Sequence, residues 1–145
     1  MPRRIRVSLK RDEALRATRV TIGKDRLVYL LIADKRLKYK NGKSRIAYIG
    51  TTKKGVARIA QSVATRAEDI LGLHGVRTFH ARIVTCGPRQ RVKTWAKLER
   101  GLLLCFRDRF GEVPRFNSQG KRMKVTDEFY YFAKRILINI VDELT

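Results

Sequence analysis

The chain has few cysteines, few histidines, few acidic residues and only short apolar runs. Its two cysteines, Cys86 and Cys105, lie far apart and lack C-x-x-C spacing. They fit reduced thiols better than a disulfide framework or a zinc site. The two histidines, His74 and His80, are too few and too isolated for a metal cluster. The sequence therefore argues against a disulfide-stabilised fold and against a metal centre built from cysteine and histidine.

The apolar runs are also too short to cross a membrane. The longest covers residues 27–33, far below the roughly 20 residues that a spanning helix needs. The basic N-terminus is followed by no apolar stretch of signal-peptide length. We therefore expect a cytoplasmic or nucleoid-associated protein with no membrane partner.

Positive charge is what the sequence has in excess. Lys and Arg number 34 against 13 Asp and Glu, which gives the 145 residues a net charge of +21. Residues 1–58 alone hold 18 basic and four acidic side chains. Because such a surface repels itself unless a polyanion neutralises it, nucleic acid is the expected partner. The hydrophobic share of 43% is ordinary for a folded chain, so we expect one domain over residues 1–145.

Apolar periodicity predicts a small α+β fold. Continuous apolar runs at 27–33 and 46–50 predict two strands, and Asn41-Gly42 predicts the turn of a hairpin between them. Residues 34–45 would then form a basic loop that projects at the hairpin tip. Alternation over 78–86 predicts a third strand. Spacing of three and four residues predicts helices over 55–71, 92–110 and 127–144, the last with Thr126 as N-cap.

These elements predict a three-stranded antiparallel sheet flanked by helices, with a β-β-α-β-α core. A basic N-terminal arm over 1–26 would precede the core at 27–117, and a C-terminal helix over 125–145 would follow it. The arm contains a strand-like piece with Ile5, Val7 and Leu9, and a helical turn is predicted near Glu13 to Arg16. The arm is interpreted as a basic extension or an edge element of the sheet.

One acidic residue falls where an apolar residue is expected. On a helical wheel at about 100° per residue, Glu99 lies between Trp95, Leu102 and Phe106 on the apolar face of the 92–110 helix. A lone buried carboxylate is costly unless it is protonated, paired or bound to a metal. A structural ion pair with an arginine and a functional site are therefore both open interpretations of Glu99.

Five short motifs occur in an order that resembles the GIY-YIG nuclease superfamily. They are Leu27-Val28-Tyr29, Tyr48-Ile49-Gly50, Gly55-Val56-Ala57-Arg58-Ile59, Trp95-Ala96-Lys97-Leu98-Glu99 and Gly111-Glu112-Val113-Pro114-Arg115-Phe116-Asn117. The segment that carries the resemblance runs from residue 27 to 117. The chain departs from the usual pattern in the long basic insert between the two tyrosines. It also has Ser62 where some members place a His, Lys or Tyr.

The resemblance implies a metal-dependent endonuclease that hydrolyses phosphodiester bonds in DNA, of the restriction, mobile-element or phage type. Glu99 would hold one Mg²⁺ (or Mn²⁺) ion, and Tyr29 or Tyr48 would orient or deprotonate the attacking water. Arg58 would contact the scissile phosphate, and Asn117 would tie its loop near the site. A homodimer would allow such an enzyme to cut both strands of double-stranded DNA.

Basic residues in and after the predicted hairpin are expected to contact nucleic acid. They are Lys35, Arg36, Lys38, Lys40, Lys43, Arg45, Lys53 and Lys54. The same residues suit a non-catalytic nucleic-acid-binding protein on this scaffold, such as a ribonucleoprotein component. A protein that only binds phosphate has no use for Glu99, whose charge repels the ligand. The endonuclease is therefore the favoured of the two predictions.

Overall fold

The computed structural model describes residues 3–19 and 26–145, and its strands form a single antiparallel sheet. The elements are β1 (Leu27–Tyr39), β2 (Gly42–Thr52), α1 (Gly55–Leu71), β3 (Phe79–Val84), α2 (Thr94–Phe110), α3 (Glu128–Tyr131) and α4 (Lys134–Leu144). The strand order is β2-β1-β3, with both pairs antiparallel. The predicted α+β fold, a three-stranded antiparallel sheet flanked by helices, is confirmed.

The first two strands are longer than their apolar runs. They continue through the basic segment, and the turn consists of Lys40 and Asn41. Leu37, Tyr39 and Ser44 are buried, so the prediction of a loop over 34–45 is wrong. Successive strand residues point to opposite faces of a sheet. The alternation of apolar and basic residues therefore buries one face of the hairpin and exposes the other.

The hairpin tip is attached to the end of α2 and does not project freely. The Asn41 backbone N–H donates to the Phe110 carbonyl at 3.0 Å, and the Lys40 N–H donates to the Glu112 carboxylate at 2.9 Å. Gly111 ends α2 at a φ of 75°, and a Cβ on it would lie 2.7 Å from the Asn41 side chain. A glycine is therefore required where the C-terminal end of α2 contacts the hairpin turn.

Helices cover both faces of the sheet. The α1 helix lies on the face of Tyr29 and Tyr48, because the Tyr29 hydroxyl bonds to Ser62 of this helix. The opposite face packs on α2, where Tyr39 meets the Phe106 and Phe110 rings. No helix among the described residues is long and apolar enough to cross a membrane.

The C-terminal segment forms two helices, which corrects the prediction of one helix over 127–144. Phe132 and Ala133 have extended backbone between α3 and α4. Glu128 is fully buried, and its carboxylate accepts hydrogen bonds from Arg100 Nε at 2.5 Å and from the Thr126 backbone N–H at 2.8 Å. The Thr126 hydroxyl also bonds to this carboxylate, so it does not cap a helix. This anchor fixes α3 against α2 and sets the separate direction of α4.

The N-terminal residues 3–19 form neither the predicted strand-like piece nor a helical turn. All of them are exposed, and Ile5, Val7 and Leu9 are at least 90% exposed. Arg16 pairs with Glu13 without a helix around them. The described part of the predicted arm is thus a basic extension and not an edge strand. Residues 1–2 and 20–25 of that prediction lie outside the described residues.

Candidate functional site

The two predicted tyrosines converge on one glycine. Tyr29 lies opposite Gly50 in the ladder, and Tyr48 lies opposite Leu31, so the two rings are diagonal neighbours on one face. Their centroids are 5.9 Å apart. A Cβ on Gly50 would lie 2.6 Å from the Tyr48 ring and 2.9 Å from the Tyr29 hydroxyl oxygen. Gly50 therefore makes the space in which the two phenols meet.

The α1 helix adds a serine and an arginine to the tyrosines. Tyr29 donates its hydroxyl hydrogen to Ser62 Oγ at 2.6 Å, and Arg66 Nη1 donates to the same oxygen at 3.2 Å. The Arg66 guanidinium carbon lies 3.8 Å from the centroid of the Tyr48 ring, a cation–π contact. The sequence prediction missed Arg66. Its signal is the i+4 spacing from Ser62, which places both side chains on one side of the helix.

Glu99 approaches the tyrosines from α2 as a half-buried carboxylate. Burial raises its pKa, and the neighbouring Thr51 hydroxyl and Arg100 guanidinium act in the opposite direction. Among the described residues, no Lys, Arg or His nitrogen lies within 4.0 Å of it. Arg100 is its neighbour in sequence but pairs with Glu128. Among the described residues Glu99 therefore has no ion-pair partner, and Trp95 and Glu99 on the apolar face of α2 are only half-buried.

Burial raises the pKa of Tyr48 to about 12, and the neighbouring Tyr29 hydroxyl and Glu99 carboxylate act in the same direction. The Arg66 guanidinium opposes this rise. The Tyr48 phenol therefore keeps its proton at neutral pH. In this state it can orient a water molecule through a hydrogen bond, but it is not a base.

Three predicted cations lie at the start of α1. Arg58 is exposed, bonds to Gln61, and stands one turn before Ser62 on the same side of the helix. Lys53 and Lys54 are exposed and directly follow β2. The first turn holds no acidic residue, and no side chain caps its N–H groups. A helix N-terminus carries partial positive charge, so this end of the site attracts anions.

Asn117 hydrogen-bonds to the backbone of Ile49, the β2 residue between Tyr48 and Gly50. Its Oδ1 accepts from the Ile49 N–H at 3.0 Å, and its Nδ2 donates to the Ile49 carbonyl at 2.8 Å. Asn117 is buried, and both ends of its amide are used. Asn117 therefore joins the loop after α2 to the outer edge of β2 at Ile49.

The predicted basic residues of the hairpin are exposed but remote from the tyrosines. Lys38 lies opposite Lys43, which is five residues from Tyr48 along β2, a separation of about 17 Å at the usual strand rise. Lys35 Nζ bonds to the His74 carbonyl, and Arg45 Nε bonds to the Thr145 carbonyl. The side chains of Arg36, Lys38, Lys40 and Lys43 are exposed on the same hairpin. The structure does not bring this group to the tyrosines and Glu99.

The donor set around Glu99 fits one hard divalent cation. No three His, Cys, Asp or Glu side chains converge in the part of the chain that the structure describes. Mg²⁺ keeps several waters and is often held by one or two carboxylates together with substrate phosphate oxygens. Glu99, with the Thr51 hydroxyl beside it, suits such an ion. Closed protein cages for Zn²⁺ or Ca²⁺ need more ligands than are present here.

Comparisons with protein-family models, with curated proteins and with solved structures find no match to this chain. The chemistry of the site is therefore the basis on which a function is inferred.

Proposed function

We propose that the chain is a metal-dependent endonuclease of the GIY-YIG type that hydrolyses phosphodiester bonds in DNA. The observation that carries this proposal is the half-buried Glu99 carboxylate, which has no cationic partner among the described side chains. Its neighbours are the Thr51 hydroxyl and the Arg100 guanidinium, and it is close enough for its charge to raise the pKa of Tyr48. A carboxylate kept for structure would be paired, as the buried Glu128 is with Arg100. A desolvated, unpaired carboxylate is the expected state of a metal ligand before its ion binds.

Glu99 would be the protein ligand of Mg²⁺ or Mn²⁺. The ion would stabilise negative charge on the phosphate and the leaving oxygen. No other protein carboxylate is needed, because water and phosphate oxygens complete the coordination of such an ion.

The tyrosines would orient the attacking water. The Tyr29 hydroxyl donates to Ser62, so its oxygen lone pairs are left to accept a hydrogen bond from water. The protonated Tyr48 can donate one. Arg66 contacts both Ser62 and the Tyr48 ring and would help to position the serine that accepts from Tyr29 and the ring that carries the Tyr48 hydroxyl.

The start of α1 would hold the scissile phosphate. Arg58 offers a planar set of N–H donors that matches phosphate oxygens, and it stabilises charge that develops there. Lys53 and Lys54 flank it, and the hairpin lysines and arginines would contact DNA farther along. Asn117 would contribute by fixing Ile49 and the residues on either side of it.

A non-catalytic nucleic-acid-binding protein, such as a ribonucleoprotein component, is the second candidate. The observation that favours it is the protonated Tyr48 under the Arg66 guanidinium. A stacked, protonated tyrosine serves packing as well as it serves catalysis. This candidate has no account of Glu99.

A nicking assay on supercoiled plasmid separates the two candidates. Wild-type protein with Mg²⁺ or Mn²⁺ is expected to cut, and EDTA is expected to stop it. Glu99→Gln should lower the rate by at least about 100-fold, while Glu143→Gln, a matched change at an exposed glutamate, should leave it unchanged. The ratio of linear to nicked product at rising protein concentration tests for a dimer. Binding without cleavage of either plasmid or total RNA would favour the second candidate.

A further inference from the structure

A second concentration of positive charge lies at the turn end of the β1–β2 hairpin. A cleft of about 430 Å³ opens between the hairpin tip, the end of α2 and the loop that follows it. Four basic residues line this cationic cleft together with one carboxylate: Lys40, Arg107, Arg115, Lys121 and Glu112. The lining therefore carries a net charge of +3.

The two arginines of the cationic cleft are fixed by backbone carbonyls. Arg107 Nη1 donates to the Gly120 carbonyl at 2.8 Å, and Arg115 Nη2 donates to the Lys38 carbonyl at 3.0 Å. A carbonyl orients a guanidinium without cancelling its charge. The Glu112 carboxylate accepts the Lys40 backbone N–H and forms no ion pair within 4.0 Å with any described residue. The two arginines are thus held in place, and Glu112 is the one carboxylate among the lining residues.

The adjoining hairpin carries charge that its own fold does not neutralise. Lys38 lies directly opposite Lys43 in the β1–β2 ladder. Like charges directly opposite each other destabilise an antiparallel pair. Neither lysine is within 4.0 Å of a carboxylate among residues 3–19 and 26–145. A bound polyanion would remove this repulsion.

We propose that the cationic cleft and the Lys38–Lys43 pair form a second contact for the phosphate backbone of double-stranded DNA. This inference rests on the proposed function, because it assigns the same DNA molecule to both sites. Asn117 lines the cleft and also clamps Ile49, between Tyr48 and Gly50. The cleft and the tyrosines therefore lie along the same outer edge of β2.

The separation of the two sites sets a minimum length for the DNA. Along β2, Lys43 is five residues from Tyr48 and seven from Gly50, which lies opposite Tyr29, a separation of about 17 to 24 Å at the usual strand rise. A base pair occupies about 3.4 Å of a duplex, so about five to seven base pairs separate the two sites. Because a duplex is stiff over this distance, it bridges the two sites without the ordering cost that a single strand would incur.

The test measures the binding of DNA duplexes of 6, 9, 12 and 18 base pairs in the absence of metal. Binding is measured by fluorescence anisotropy over a range of salt concentrations. Glu99→Gln protein is the background, so that no DNA is cut and catalysis does not enter the measurement. The cleft variant adds Lys40→Gln, Lys43→Gln and Lys121→Gln. The control variant instead adds Arg82→Gln, Lys124→Gln and Arg135→Gln, three exposed cations elsewhere with the same change in net charge. Thermal melts of both variants confirm that they fold.

The background protein should show a steep gain in affinity between 6 and 12 base pairs. The cleft variant should lose this step, and the slope of log affinity against log salt should fall by about 2 to 3. The control should keep the step and change its slope by less than about 1. Equal effects of both variants would overturn the inference, as would an unchanged slope in the cleft variant. Binding of dAMP at the cleft as tight as binding of duplex would also overturn it, in favour of a mononucleotide pocket. None of these outcomes bears on cleavage by the wild type.

Discussion

The substitution Gly50→Ala tests whether the meeting of the two tyrosines matters. The added Cβ would lie 2.6 Å from a Tyr48 ring carbon and 2.9 Å from the Tyr29 hydroxyl oxygen. Ordinary contacts at a Cβ begin at 3.4 Å, so the rings must move by several tenths of an ångström. Gly50 does not have positive φ, so alanine strains the contacts and not the backbone.

The expected effects follow from this overlap. Overpacking of this kind costs about 1–3 kcal/mol of unfolding free energy. A displacement of about 1 Å in a positioned group can lower a rate by about 100-fold. We therefore expect a moderately less stable protein whose rate of plasmid nicking falls by about one to two orders of magnitude.

The assay is Mg²⁺-dependent nicking, measured well below the melting temperature that a separate thermal melt establishes. Gly87→Ala is the matched control, because nothing lies within 4 Å of a Cβ at that position and its φ is not positive. The control should retain both stability and rate. Full nicking activity in Gly50→Ala protein, with the expected loss of stability, would refute the role of the two phenols.

Two further predictions concern the carboxylates of Glu99, on α2, and of Glu128, which Arg100 of α2 contacts. Burial raises the pKa of Glu99, so its charged form opposes folding above the folded-state pKa, and this penalty disappears below the unfolded value of about 4.3. Metal-free Glu99→Gln protein should therefore melt higher than wild type at pH 7, with the difference shrinking toward pH 4; a lower melting temperature at pH 7 would indicate a hidden ion pair. Burial alone would also raise the pKa of Glu128, but hydrogen bonds from Arg100 and Thr126 outweigh it and lower this pKa to about 2. The contribution of the charged Glu128 to the free energy of unfolding is present above about pH 4.5 and lost toward pH 2. Glu128→Gln should therefore lower the free energy of unfolding, measured in urea at neutral pH, by about 3–5 kcal/mol. Asp142→Asn, at an exposed ion pair, should lower it by less than about 1 kcal/mol.

The sequence was sufficient for the elements whose apolar pattern is unambiguous. The strands that begin at Leu27 and end near Gly50, and the helices α1 and α2, follow directly from runs and spacing. The outer half of the hairpin did not, because Leu37 and Tyr39 alternate with basic residues and the segment resembles a solvated loop. What makes it a strand is the packing of Tyr39 on Phe106 and Phe110, contacts nearly 70 residues away in the chain.

The residues of the candidate site could be predicted from the sequence where a short motif or a helical pattern indicated them. Asn117 and the two tyrosines were found from motif order, and Glu99 was found from the helical wheel. Arg66 was missed because an arginine on a helix usually faces solvent, and only the folded chain places it over Tyr48. No local pattern indicates that Glu128 is buried. Its burial depends on Arg100, which is 28 residues away.

Arg100 explains why the two carboxylates differ. It follows Glu99 directly in the sequence, but successive helix residues point about 100° apart, so Arg100 faces α3 while Glu99 faces β2. The guanidinium is thereby committed to Glu128, which it holds at 2.5 Å, and among the described residues Glu99 has no cation within 4.0 Å. Arg58 and Arg66 belong to α1 and are engaged by Gln61 and by Ser62 with the Tyr48 ring. One acid is thus neutralised within the fold, while burial raises the pKa of the other. An added positive ion at Glu99 is what the proposed function would supply.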